Sequence, residues 1–460
     1  MTEYRADPAI LALGPDFYDP VAPADFPQGI LRYRNDGAAA RVGLDDLSDD
    51  QWIRHFGRFE PLPGNLPEPL ALRYHGHQFR VYNPDIGDGR GFLFAQLRDD
   101  AGRLMDLGTK GSGQTPYSRF GDGRLTLKGG VREVLATEML EALGVDTSQT
   151  FSLVETGEAL ERNDEPSPTR AAVLVRLQHS HIRIGTFQRL AYLDETENLA
   201  KLTDYCLARY YGAAEGGPAA LLDHVGREAA RLAASYIAAG FVHGVLNSDN
   251  IAITAQSFDY GPWRFTPFWD GAFTAAYFDH AGLYAFGRQP EAIHWDLVQL
   301  AASLRSIAPA EALTPALEAF PERFQAALVA AILRRLGLRR METERDAALL
   351  VALEEALAAK TVGIDRFFFD WRGGARRGPS SADDAYAGAE FAGWKRALDG
   401  YEAAPEALTH PYWSDPSPCS MHIDEVEAIW SRIDTDDDWS ALHAKVAAVR
   451  RMGEAHAAPA

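Results

Sequence analysis

Cysteine is nearly absent from this chain: of 460 residues, only Cys206 and Cys419 carry a thiol. With no Cys-x-x-Cys pair, a cysteine-ligated zinc cluster is excluded, and the usage fits a reducing compartment. Positive charge is also short, at 45 Lys and Arg against 65 Asp and Glu, for a formal net charge of −20. That balance argues against a general nucleic-acid or anionic-membrane partner, so any bound anion needs a local basic cluster. Long apolar runs are missing too. The longest apolar region, "LAASYIAAGFVHGVL", is broken by His243 and is too short to span a bilayer. The opening "MTEYRADPAILALGPDF" carries acidic residues and no apolar core of signal-peptide length. The expectation is a soluble, cytoplasmic protein without nucleic-acid or membrane partners.

What is present is ordinary globular composition, 46% apolar and 24% charged, in a chain long enough for two or three domains or one bilobed enzyme with additions. Residues 1–70 are rich in Pro, Asp and aromatics with little periodicity, and read as a wrapping N-terminal extension. "FRVYNPDIGDGRGFLFAQLRDDAGRLMDLGTKG" alternates apolar and polar positions around the turns "GDG" and "DDAG", which predicts a three-stranded antiparallel meander. "GGVREVLATEMLEALG" spaces Val131, Leu135, Met139 and Leu143 four apart and stops at Gly144, which predicts an amphipathic helix. Two further strands are expected at "TFSLVET" and "RAAVLVRLQ", joined by a polar loop. From about Glu197 onward the periodicity is helical. No stretch repeats at a fixed period.

A glycine hairpin, strands, a helix, two strands and then a mostly helical half is the element order of a protein-kinase-like fold. The expected class is α+β, two-lobed: a small antiparallel-sheet N-lobe at 71–190 and a helical C-lobe with the catalytic loop at 191–360. Extensions flank them at 1–70 and 361–460.

The stretch "HGVLNSDNIAITAQSFDYG" fits this order. A kinase-type catalytic loop reads His-x-Asp-x-x-x-x-Asn and is followed by Asp-Phe-Gly. His243, Asn250 and Asp259-Tyr260-Gly261 occupy the matching places, but Val245 stands where the catalytic aspartate belongs. Asn250 and Asp259 offer the hard oxygens that Mg²⁺ accepts, with Mn²⁺ as the alternative ion. Asp249 is the other carboxylate on the loop and the candidate general base. Lys110, closing the third strand, is placed to contact ATP phosphates and to pair with Glu133 in the first turn of the next helix. The competing reading is a surface lysine and a dipole-favoured glutamate. "GDGRG" brings Gly87, Gly89 and Arg90 to a turn whose backbone N–H groups can approach an anion, although a plain hairpin has the same sequence. "GSGQTPYSRFGDGR" offers Asp122 and Gly123 as further nucleotide contacts. Arg176 and Arg183 follow the fifth strand and suit phosphate oxygens, or structural salt bridges. His75 and His77 share a face of an extended segment but lack a spaced third ligand, so a structural role is the better reading.

Together, "YHGHQF", "IGDGRG", "KGSGQTPYSRFGDGR", "VRE", "SHIRIG", "HGVLNSDN", "DYGP" and "YAFGRQP" resemble the selenoprotein O (YdiU) family of kinase-like protein adenylyltransferases over roughly residues 70–300. The resemblance implies a kinase fold that binds ATP in reversed orientation and moves AMP to Ser, Thr or Tyr hydroxyls of proteins, releasing pyrophosphate. On that pattern Lys110 and Glu133 form an ion pair. Gly87, Gly89, Arg90, Asp122, Gly123, Arg176 and Arg183 line the nucleotide, Asn250 and Asp259 hold magnesium, and Asp249 is the base. The sequence departs from the family at His75, Arg80, the segment after "DYGP" and "HWDL", and it ends "GEAHAAPA" where relatives often carry a terminal cysteine or selenocysteine. A conventional kinase using Asp249 as a displaced base and a non-catalytic nucleotide-binding scaffold are the competing functions.

Overall fold

The computed structural model of the protein describes residues 2–163, 165–212 and 215–457. Its strands are β1 (Tyr18–Pro20), β2 (Ile30–Arg34), β3 (Leu70–Leu72), β4 (Gly76–Gln78), β5 (Val81–Asn83), β6 (Leu93–Arg98), β7 (Leu104–Lys110), β8 (Leu125–Thr126), β9 (Gln149–Leu160), β10 (Thr169–Gln178), β11 (Phe241–Val242) and β12 (Arg264–Phe265). The helices among them are α1 (Asp36–Arg41), α2 (Asp49–Phe56), α3 (Leu127–Ala142), α4 (Ile184–Tyr192), α5 (Thr196–Tyr210) and α6 (Gly217–Ala239). After β12 follow α7 (Gln289–Leu304), α8 (Ala310–Glu318), α9 (Phe320–Leu336), α10 (Thr343–Leu357), α11 (Ile364–Asp370), α12 (Asp383–Tyr386), α13 (Phe391–Ala397), α14 (Ile423–Asp436) and α15 (Ser440–His456). This is a mixed α/β protein with an antiparallel sheet and many helices. Among the described residues no helix is long and apolar enough to cross a membrane.

The main sheet runs β1-β3-β6-β7-β10-β9-β2, with β8 also paired to β10, and every pair is antiparallel. Alternation along β10 sorts its side chains onto two faces. Val173, Val175 and Leu177 join Trp52, Phe56, Phe94 and Phe151 in one core, whereas Ala172 and Leu174 join Val131, Leu135 and Met139 of α3 in the other. The register sets Leu174 opposite Lys110 and Arg176 opposite Gly108, so both cations rise from the α3 side.

The sequence expectations need correction at the meander and at the helix that follows it. The meander exists as β3, β6 and β7, but its first strand is Leu70–Leu72. The segment expected there, at 79–86, supplies β5 instead, which pairs with β4 in a separate two-stranded sheet. The segment before β3 gives the sheet β1 and β2 at its two ends.

The helix over 129–144 begins earlier, at Leu127. Thr126 Oγ1 caps it by accepting the Gly129 N–H at 3.1 Å, and Gly144 stops it at φ +77°. Glu133 thus lies in its second turn, not its first. Nor is α3 amphipathic in effect: residues all round it are buried, because α15 and α14 cover the side away from the sheet.

Candidate active site

The site begins where α6 runs out. Gly240 takes the left-handed conformation, φ +70°, and turns the chain into β11 and the loop that follows. His243 is buried and fixes that loop at both ends. Its Nε2 meets the Phe258 carbonyl at 2.9 Å, and its backbone N–H donates to Gln289 Oε1 at 3.0 Å. Residues 182–184 hold the return path, with Ile184 N–H donating to Ile251 O and Ile253 N–H to Ile182 O. Asp249 and Asp259 are thereby presented to one cleft of about 910 Å³, lined also by Gly87, Gly89, Arg90, Lys110, Asp122, Gly123, Arg176 and Arg183.

At the inner end Lys110 Nζ sits between two carboxylates, 2.7 Å from Glu133 Oε2 and 3.0 Å from Asp259 Oδ1. Arg176 Nη1 lies 3.5 Å from Glu133 and 3.6 Å from Asp259, yet makes no hydrogen bond. Burial opposes charge on Asp259, but Lys110, Arg176, Arg183 and Arg90 together hold its carboxyl well below the usual range, so it is ionised. Asp259 itself has φ +63°.

Arg183 is buried among Tyr74, Phe258, Asp88 and the loop. Its Nη1 donates to the Asp249 carbonyl at 2.8 Å and its Nη2 to Asp88 Oδ1 at 3.2 Å, while Nε has no partner. The guanidinium stands 4.4 Å over the Tyr74 ring and 4.8 Å over Phe258. The Asp249 carboxyl is pushed up to about 6 by burial, which outweighs the nearby Arg183 charge, and its Oδ1 is unpartnered.

Asn250 is placed differently from the other candidates. It lies beside the cleft lining and its amide nitrogen donates to the Val245 carbonyl at 3.1 Å. Position 245 therefore contributes its backbone to the loop. Glu133 is fully buried behind Lys110 and does not line the cleft. Arg90 is exposed on the cleft wall, and Asp122 at its rim is bound by Arg162 at 2.8 Å. Gly123 has φ +70° and leaves no room for a Cβ, which would stand 2.2 Å from Gly113 O.

The histidines of "YHGHQF" are accounted for within β4 and its surroundings. His75 Nδ1 meets the Tyr82 hydroxyl at 2.8 Å, and His77 Nδ1 meets Gln188 Nε2 at 2.7 Å. β4 itself presses on the loop that carries Asp249: a Cβ on Gly76 would stand 2.8 Å from that of Asp249.

Sequence reasoning missed three residues here. Asp88, inside "GDGRG", is buried and accepts both Arg183 and the Leu72 N–H. His181, from "SHIRIG", accepts Arg176 Nε–H at 3.2 Å through Nε2, while its Nδ1 faces Asp106 Oδ2 at 3.3 Å. Burial holds the His181 imidazole below its usual range, so it is neutral and has a lone pair for the arginine. Asp106 completes that chain by accepting the His181 N–H at 2.7 Å. Only Asp106 gave a signal, as a polar residue on β7 at a position whose neighbours are all buried.

A family model described as protein adenylyltransferase SelO matches residues 1–450. A protein nucleotidyltransferase YdiU of Synechocystis sp. is 44% identical over 95% of this chain and 96% of its own length. That of Gloeobacter violaceus is also 44% identical, over 97% and 95%, and that of Azotobacter vinelandii is 35% identical over 80% and 75%. The chain belongs to the SelO family of protein adenylyltransferases.

Proposed function

We propose that this enzyme transfers AMP from ATP to Ser, Thr or Tyr hydroxyls of proteins with its nucleotide reversed, so that the β- and γ-phosphates lie inward. The observation that carries the reading is the pair of buried arginines. Arg176 Nη1 and Arg183 Nε are buried without hydrogen-bond partners. Buried cations short of acceptors suit an anion with many oxygens, and a fork-shaped guanidinium suits phosphate. Lys110 lies between Glu133 and Asp259 in the same cleft and adds a third cation.

With the outer two phosphates held inward, the α-phosphorus faces the loop that carries Asp249. The hydroxyl oxygen attacks it, the bond to the bridging oxygen breaks, and pyrophosphate leaves. Asp249, buried and raised to about 6, is ionised at neutral pH and basic enough to take the hydroxyl proton. Arg183 orients it through the Asp249 carbonyl. A conventional kinase carries its catalytic aspartate at position 245, where this chain has valine.

The donor set suits Mg²⁺ or Mn²⁺. Asp259 is an ionised carboxylate, and Asn250, having spent its nitrogen on Val245, has its carbonyl oxygen to offer. When bound, such an ion neutralises charge developing on the phosphates. The sheet and helices support a kinase-like two-lobed organisation, with lobes at 71–190 and 191–360 and extensions at 1–70 and 361–460.

ATP labelled separately on the α- and γ-phosphates tests the reading. Label reaching protein from the α-position only is the expected result. Label from γ only would make the enzyme a kinase, and label from neither a scaffold.

A further inference from the structure

Three aromatic rings line the cleft, and two of them have their faces covered. The Arg183 guanidinium lies over Tyr74 at 4.4 Å. The Tyr117 ring packs against Gly87, where a Cβ would come within 2.5 Å of it. Phe120 is fully exposed, the most exposed large apolar side chain among the described residues.

Its loop is nevertheless pinned. Gly121 N–H donates to Ser118 O at 2.7 Å, and Gln114 Nε2 donates to Gly121 O at 2.8 Å. The hydroxyls of Ser118 and Thr115 donate to the carbonyls of Gly89 and Asp88, which staples the turn to the glycine loop. An exposed phenyl on a pinned turn at the mouth of a mostly polar cleft has no protein surface to stack upon.

We propose that Phe120 is the platform on which the base of the nucleotide stacks. The inference rests on the reading above, in which the triphosphate is anchored at Lys110, Arg176 and Arg183. A nucleotide held there by its phosphates extends its base toward the rim. The base needs an apolar surface for its face and polar groups for its edges. Phe120 supplies the first, and Asp122 and Asn163, which line the same rim, supply the second. Stacking of this kind tolerates any base, because every base has a π-face. Discrimination among bases then falls to the polar edge groups.

The test compares Phe120→Ala and Phe120→Trp with the unaltered enzyme. It measures KM for ATP, turnover at saturating ATP, and competition by inorganic tripolyphosphate, which carries the charge without a base. Loss of the ring should raise KM for ATP about ten-fold. Turnover should fall far less, the tripolyphosphate inhibition constant should hold, and tryptophan should restore KM. An unchanged KM for ATP in Phe120→Ala, with tripolyphosphate still competitive, overturns the platform and leaves the proposed function standing. So does a rise confined to KM for the protein substrate. Failure of tripolyphosphate to compete in the unaltered enzyme overturns the phosphate placement, and the platform with it.

Discussion

A Cβ on Gly108 would stand 2.0 Å from Nε2 of His181, the atom that accepts Arg176 Nε–H. Glycine is required at this strand position by the histidine, and the histidine in turn fixes the arginine. Gly108→Ala should displace the ring and release Arg176, lowering AMP transfer by up to about a hundred-fold through misplacement alone. Steady-state transfer of α-label against thermal stability checks this. A large loss of melting temperature with normal specific activity of the folded fraction would count against it.

Asp259→Asn should abolish transfer by about a thousand-fold while the fold persists. Asparagine keeps the shape and tolerates the left-handed backbone at φ +63°, where alanine adds strain of its own. Lys110 retains Glu133 as a partner, so the protein should still melt cooperatively. Near-normal activity with unchanged dependence on divalent metal would remove Asp259 from the site.

Val245→Asp should not create a kinase. It adds a carboxylate to the loop that already carries Asp249, where like charge and desolvation oppose it. Weaker ATP binding, reduced AMP transfer and no γ-label on protein are expected. The double variant Arg176→Ala with Arg183→Ala should depress AMP transfer far more, because it removes two charge-assisted contacts. Efficient γ-transfer by Val245→Asp would show that the reversed orientation is wrong.

Arg450→Ala should loosen α3 from behind. Arg450 on α15 donates to both oxygens of the buried Glu138, at 2.6 and 2.8 Å, and to the Tyr33 hydroxyl at 2.9 Å. Glu138 lies little more than one turn beyond Glu133 on α3. Removing the partly exposed arginine leaves the buried Glu138 carboxylate with only the Tyr33 hydroxyl as a donor and should cost about 1–3 kcal/mol. Denaturant melts and transfer rates should both fall, with Arg450→Lys recovering part of each.

Asp296 gives a pH signature. It is fully buried on α7 with both oxygens unpartnered, and burial, reinforced by the Asp249 charge, raises its carboxyl well above the usual range. A raised carboxyl pKa means that the unfolded chain ionises first. Stability is therefore greatest below the unfolded value and declines as pH rises toward the folded one. Asp296→Asn removes that ionisation, so its melting temperature should exceed the parent's at pH 8 and the gap should close by pH 4. A gap independent of pH would show that Asp296 is already ionised in the native state.

That Lys110, Asp249 and Asp259 share a cleft was legible because they sit in short motifs whose spacing is fixed by the backbone: Lys110 at a strand end, and the two aspartates on one loop. β6, β7, β9 and β10 were legible from alternation. β3 was not, since "LAL" is too short to alternate and the neighbouring "VYN" mimics the pattern better. The burial of α3 escaped as well. Four-residue spacing defines one apolar face, and only tertiary packing of α15, remote in sequence, reveals that the opposite side is covered. Asp88 and His181 were hidden for a similar reason, because a buried polar residue is recognisable only once its partner is known.

The two residues Arg450 and Glu138 are 312 positions apart. A chain emerging from the ribosome therefore makes the sheet, α3 and the catalytic loop long before the helix that braces α3 exists. During that interval the helix that carries Glu133 is packed on the sheet but lacks its cover from α15. The brace on α3 is thus completed only once residue 450 has been synthesised, and a chain shortened before α15 leaves the buried Glu138 without its arginine.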